Sequence, residues 1–391
     1  MGRAIGRGYA KMRAMTGPRP TIFAALPEQY FIGILAAAAQ ARQRPGRRLI
    51  DLGRGNPDLP PPPAALAAAG AALAEPGAHG YPPFQGLAEL RQAIAERYRA
   101  DHGVRLDPER EVAVVPGTKT GIMLAALACA GAGSEIALPD PGYPDYLSAV
   151  ALTGARALRL PLDPAAGWQP DLDALGDARP ALLVLNYPSN PCAVCEAPGT
   201  FEAAVGWARE RGAWLLNDLA YGFLAFDGRR ARSVLEVDGA RDVAVELWSA
   251  SKVYGMAGWR IGFAVGNAEV VGRIRELLDH LHAGVPQALQ RGLVAALTGD
   301  QGHVADRREV YRRRRDVLVA HLDVAAPEGT FYAWWRLPEG LSAAQILEEH
   351  RVAVAPGEGF GARGAGYARL SLAVADADVE EGAARLAAAL G

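Results

Sequence analysis

Short apolar runs recur through the middle of the chain, at about residues 112–115, 135–138, 156–159, 182–185, 214–217, 243–248 and 261–265. Each is too short for a helix, so each reads as a strand. Several are separated by amphipathic stretches of helix length, such as Phe201 to Glu210. Seven strands interleaved with helices predict an α/β core of three layers.

The two ends of the chain carry a different pattern. The first fifty residues, the Arg-rich helical stretch Arg307 to His321, and the segments Thr330 to Leu337 and Val352 to Val354 suit a smaller α+β unit. The expected division is therefore a large domain over 60–290 and a small domain built from 1–59 and 291–391, with the rigid run Pro60 to Pro63 marking the crossing. Polar residues of the central region fall just after strand ends: Gly117-Thr118-Lys119, Tyr143, Asn190, Asp218, Ser249 and Lys252. Ligands of open α/β sheets bind beyond the carboxyl ends of strands, so these scattered residues are expected to share one crevice.

Composition narrows the function. The chain has 391 residues, half of them hydrophobic, yet its richest apolar stretch, Ile32 to Ala39, falls far short of the roughly 20 residues that cross a bilayer. A net charge of -2 gives no electrostatic case for nucleic acid. The first twenty residues carry Arg3, Arg7, Lys11, Arg13 and Arg19 without an acid, and they lack the apolar core of a signal peptide, so they read as a basic arm. Three cysteines, Cys129, Cys192 and Cys195, are too few for a disulfide framework and fit a reducing cytoplasm. The Cys192-Ala-Val-Cys195 spacing has no second ligand pair, so no metal is expected. Among 41 basic residues only Lys11, Lys119 and Lys252 are lysines. An ammonium can lose its proton and condense with a carbonyl, which guanidinium cannot do, so a lysine kept inside a motif points to Schiff-base chemistry.

The segment from Ser249-Ala-Ser251-Lys252 through Gly255-Met-Ala-Gly-Trp-Arg260 closely resembles the lysine motif of class I/II, fold-type I aminotransferases, which use pyridoxal 5′-phosphate (PLP). That resemblance implies a three-layer large domain around a seven-stranded, mostly parallel sheet, with PLP held on Lys252 as a Schiff base and Ser249, Ser251 and Arg260 at its phosphate. Hydroxyls and an Arg fork suit a dianion. Pro116-Gly117-Thr118-Lys119 opens the apolar helix Ile122 to Ala130 and directs free N–H groups at an anion, so Thr118 and Lys119 are expected there too. Asp140-Pro-Gly-Tyr143-Pro-Asp-Tyr146 resembles the family segment whose aromatic ring lies on the pyridine face, which implies stacking by Tyr143. Asn186-Tyr-Pro-Ser-Asn190-Pro resembles the segment that carries an Asn to the phenolic oxygen, hence Asn190, although Cys192 and Ala193 replace the usual Thr and Gly.

Asn217-Asp218-Leu-Ala-Tyr221 is similar to the family's Asp-x-Ala-Tyr, implying that Asp218 pairs with the pyridine nitrogen and Tyr221 donates to the phenolic oxygen. Arg369 stands where the family clamps the substrate α-carboxylate, Gly55 where its backbone touches that group, and Tyr81 where a tyrosine reaches the phosphate of a neighbouring subunit. A homodimer follows from the last match. The freed Lys252 amine would move the Cα proton, so that an amino group passes between an L-amino acid and a 2-oxo acid.

Elimination, cyclisation or carbon–carbon bond formation on the same scaffold is the alternative. A PLP-binding regulator would need a DNA-binding module, for which fifty residues are too few. A dehydrogenase would leave the lysine segment unexplained, and Gly357-Glu-Gly359-Phe-Gly361 lacks the spacing of a dinucleotide loop, reading instead as a substrate-side loop. In motif style the chain is most similar to methionine or glutamine transaminases and LL-diaminopimelate aminotransferases, with Gly255 replacing the Asn expected before Met256. Tyr30, Phe31 and His282 are candidate pocket residues.

Overall fold

The computed structural model describes residues 21–390, so the basic arm lies outside the described residues. Helices Thr21–Ala25 and Tyr30–Arg42 lead into strand β1 (Ile50–Asp51). Helices Pro63–Leu73 and Ala88–His102 follow, and the chain then enters its main sheet. The strands of that sheet are β2 (Val112–Val115), β3 (Glu135–Asp140), β4 (Arg156–Asp163), β5 (Gln169–Pro170), β6 (Leu182–Leu185), β7 (Trp214–Asp218), β8 (Ala244–Ser249) and β9 (Gly262–Gly266). Their order is β2-β9-β8-β7-β6-β3-β4-β5. All seven expected strands are present. The eighth, β5, is a two-residue addition antiparallel to the edge strand β4, too short to leave an apolar run in the sequence.

Pairing is parallel from β4 through β3, β6 and β7 to β8, while β9 runs antiparallel to both its neighbours. Side chains of each strand alternate between faces. Val112 and Val114 join the core with Leu90, Ile94 and Leu293, whereas Ala113 and Val115 join the core with Ile122, Ala126 and Ile274. Helices Thr118–Cys129, Asp145–Thr153 and Ala268–Leu281 thus cover one face, and helices Ala88–His102, Thr200–Arg211 and Gln287–Thr298 the other.

The C-terminal part adds β10 (Tyr332–Arg336), β11 (Val352–Ala353), β12 (Ala355–Pro356) and β13 (Tyr367–Ser371). They form an antiparallel sheet, β10-β13-β12, while β11 pairs in parallel with β1 from the other end of the chain. Helix Gly302–His321 and helix Asp376–Ala387 pack on these strands through a separate core containing Ile50, Tyr311, Phe331 and Leu386. No helix among the described residues is long and apolar enough to cross a membrane.

Candidate active site

Beyond the carboxyl ends of β7 and β8 lies a cavity of about 400 Å³. The sheet supplies its floor. Asp218, the last residue of β7, is 5% exposed and accepts hydrogen bonds from the Tyr146 hydroxyl at 2.9 Å and the Ala220 N–H at 3.3 Å. Burial pushes its carboxyl up to about 6, with the Tyr146 bond opposing the rise. A carboxyl poised this way becomes fully ionised when a cation comes to rest beside it.

Lys252 follows one turn after β8 and lines the same cavity. Its amine donates to the Gly55 carbonyl at 3.1 Å and lies 5.5 Å from the centre of the Phe331 ring. Loss of water lowers its pKa, and the nearby Arg369 and Arg260 guanidinium groups lower it further. The amine is thereby biased toward its neutral, nucleophilic form. Lys119 differs: its amine is ion-paired with Asp145 at 3.0 Å and is substantially exposed, although it too borders the cavity.

One end of the cavity gathers donors for an anion. Helix Thr118–Cys129 starts there, and Thr118, Ser249, Ser251 and Arg260 line the space. The Ser249 hydroxyl is buried without a partner among the described residues, and an orphaned buried hydroxyl calls for a ligand oxygen. Gly117 sits at φ +83°, and a Cβ there would fall 2.3 Å from Arg260 Nη2. The guanidinium is therefore packed directly on the helix N-terminus, where a phosphate would meet cation, dipole and hydroxyls together.

The opposite end is built around Arg369 of β13, only 1% exposed. Its Nη1 donates to Asn190 Oδ1 at 2.9 Å and its Nη2 to the Gly53 carbonyl at 3.3 Å, while Nε has no partner among the described residues. The guanidinium is stacked 3.9 Å from the centre of the Tyr332 ring. Asn190 is held by Asn186, whose side chain accepts from the Asn190 N–H at 2.8 Å and donates to the Asp218 carbonyl at 2.6 Å. Tyr221 donates to the Tyr332 hydroxyl at 3.3 Å. A Cβ on Gly55 would lie 2.2 Å from that same hydroxyl, so only glycine lets the 53–58 segment close over Tyr332 and Arg369.

Tyr143 completes the lining, its ring 6.0 Å from that of Phe31. The structure thus brings together every residue expected to touch the cofactor or the substrate carboxylate except Tyr81, which is 84% exposed and outside the lining.

A profile of the family described as aminotransferase class I and II matches residues 47–386. The chain belongs to that family. It is 38% identical to the L-glutamine–4-(methylsulfanyl)-2-oxobutanoate aminotransferase of Bacillus subtilis over 92% of this chain and 94% of that protein. It is 39% identical to an LL-diaminopimelate aminotransferase of Dehalococcoides mccartyi, over 93% of this chain and 96% of that one. Among solved structures, substrate-bound BacF from Bacillus subtilis superposes with a TM-score of 0.91 at 33% identity, covering 96% and 98% of the two chains. The protein is an aminotransferase with the fold-type I architecture, and the names of its relatives give elimination or carbon–carbon bond formation no support.

Within this aminotransferase several residues of the site had no role assigned from the sequence: Tyr332 stood outside every motif, and Asn186 and Tyr146 stood inside motifs read for a neighbour. Tyr332, Asn186 and Tyr146 lie in or beside the cavity, and only the resulting geometry marks them out. Of the three pocket candidates, Phe31 lines the cavity. Tyr30 instead donates to the Pro356 carbonyl and borders a larger, mostly apolar cavity of about 780 Å³ across its helix. His282 follows helix Ala268–Leu281 and is absent from the lining. Phe360, from the Gly357–Gly361 loop, lies 4.9 Å from the Arg369 guanidinium. Asp58 accepts from Arg314 at 2.8 Å and Tyr311 at 3.2 Å, which holds the Gly53–Asp58 segment in place.

Proposed function

We propose that this aminotransferase works with PLP held covalently by Lys252 and transfers an amino group from an L-amino acid to a 2-oxo acid. The reading is carried by one observation: a buried lysine, without a carboxylate partner among the described residues, stands between an anion cradle and a buried arginine. When bound, PLP supplies a carbonyl that takes up amino groups and a pyridine ring that draws electrons from the substrate Cα. Thr118, Ser249, Ser251 and Arg260 would hold its phosphate, with Lys119 at the rim. Tyr143 would lie on its ring face, and Asp218 would face the ring nitrogen and keep it protonated. Asn190 and Tyr221 would donate to its phenolic oxygen, the Tyr221–Tyr332 bond then reversing so that the Tyr332 hydroxyl donates to that of Tyr221.

Arg369 retains three N–H donors for the substrate α-carboxylate, and the Gly55 backbone would share that duty. The Lys252 amine would remove and return the proton at the substrate Cα. The 2-oxo acid of the return half-reaction uses the same Arg369 clamp. We further read the molecule as a cytoplasmic homodimer in which Tyr81 completes the phosphate site of the partner subunit. For the two-domain division we take the second crossing near 300 instead of 290, a reading supported by the packing of helix Gln287–Thr298 on helices Pro63–Leu73 and Ala88–His102.

Borohydride reduction of the PLP-loaded protein followed by peptide mapping tests this reading. The expected tag is on the peptide containing Lys252, and Lys252→Ala should lose the tag and slow amino transfer at least ~10³-fold. A tag on Lys119, or none at all, would overturn it.

A further inference from the structure

The lining of the cavity is not used up by the roles above, and what remains is mainly carbon. Helix Tyr30–Arg42 sets Phe31, Ile34 and Leu35 at i, i+3 and i+4, one face of the helix, and all three line the cavity, as does Ile122. Phe31 stands between the two ends of the site: its ring lies 5.3 Å from the Arg369 guanidinium and 6.0 Å from the Tyr143 ring. With the α-carboxylate on Arg369, the α-nitrogen at the cofactor's carbonyl position and the Cα hydrogen toward Lys252, the side chain is left facing this stripe. Asp218 is the one acid in the lining among the described residues, and it lies at the floor, engaged with Tyr146. A distal ammonium would therefore be desolvated without a counter-ion. Of the other cations, Lys119 is neutralised by Asp145, and Arg54 sits exposed at the rim, shared with an adjoining arginine-lined cavity.

We infer that the amino donor carries an apolar side chain, hydrocarbon, thioether or aromatic, seated on Phe31, Ile34 and Leu35. This inference rests on the Lys252 and Arg369 assignments proposed above and narrows them to a substrate class. The PLP-loaded protein, mixed with one donor at a time without acceptor, reports each half-reaction through the cofactor's absorbance. Methionine, leucine and phenylalanine should exceed aspartate and LL-diaminopimelate in kcat/KM by roughly 10- to 100-fold, the range that burial of one such side chain supports.

Leu35 is 44% exposed, so Leu35→Asp tests the seat without disturbing the core, and it should cut the methionine-to-alanine preference about 10-fold. Calorimetry with unreactive acids gives a second readout: 4-methylpentanoate should bind the loaded protein more tightly than succinate, and Leu35→Asp should erase the difference. Equal or better turnover of aspartate or LL-diaminopimelate, or an unchanged methionine-to-alanine ratio in Leu35→Asp, would overturn the inference alone. Failure of every donor to change the absorbance would sink the Lys252 reading with it.

Discussion

Asp218 shows how a residue with a proposed cofactor role is kept at the expense of stability. Its carboxyl titrates near 6 in the folded, cofactor-free protein, against an ordinary value of 3.8. The folded state therefore binds the proton more tightly than the unfolded chain does, and stability falls as pH rises between about 4 and 6, by up to about 3 kcal/mol in all. Asp218→Asn keeps the Tyr146 hydrogen bond and removes that burden. Melting curves of the cofactor-free variant should show a gain of a few degrees over the parent at pH 7.5 and none near pH 4, while amino transfer drops at least ~100-fold. A variant no more stable than the parent at pH 7.5 would show that the carboxyl is not a burden. Two departures from the family pattern also find their reasons at this scale. Gly255 has φ +68°, a left-handed conformation that Asn also adopts, but a Cβ here would fall 2.3 Å from the Leu59 carbonyl, so the packing of this chain demands glycine before Met256. Ala193 at φ +59° is in the same region without that freedom and stores about 1 kcal/mol or more of strain.

At the scale of elements, the helix Thr118–Cys129 derives its proposed role from where it begins. Gly117→Ala would impose both an unfavourable φ and a contact 2.3 Å from Arg260, displacing the guanidinium from the helix start. The expected result is a loss of roughly 10- to 100-fold in PLP affinity by absorbance titration, with pyridoxal, which lacks the phosphate, bound as weakly as by the parent. Equal weakening of both ligands would place the damage elsewhere. The strands were legible because each is a compact apolar run. β4 extends to Asp163 because pairing with β3 continues through Asp140↔Pro161 and pairing with β5 takes in Leu162 and Asp163, an extension that Pro161 hides in the sequence. Helix Gly302–His321 begins five residues before its Arg-rich portion, since no periodic apolar signal marks its first turn.

At the scale of the whole molecule, Tyr81 is the residue whose expected role a single chain does not fulfil. It is exposed, as are Leu66, Leu73 and Leu281, and apolar surface of this kind favours association. If the proposed dimer shares its sites, Lys252→Ala and Tyr81→Ala chains mixed after unfolding should regain about a quarter of parent activity at low PLP, because half the dimers are mixed and each has one intact site. No activity beyond the sum of the two variants would refute sharing. Local chemistry written in the chain determined the strands, the helices and the scarce lysine, because apolar runs, helix starts and motif spacing act over a few residues. Which lysine lies free in the cavity and which is ion-paired to Asp145 was decided only by tertiary structure. So were the perch of Arg369 on Tyr332 and the cavity-lining face of helix Tyr30–Arg42. Those outcomes depend on contacts between segments tens to hundreds of residues apart, whose burial and electrostatics exist only once the sheet and the C-terminal strands have closed around the same space.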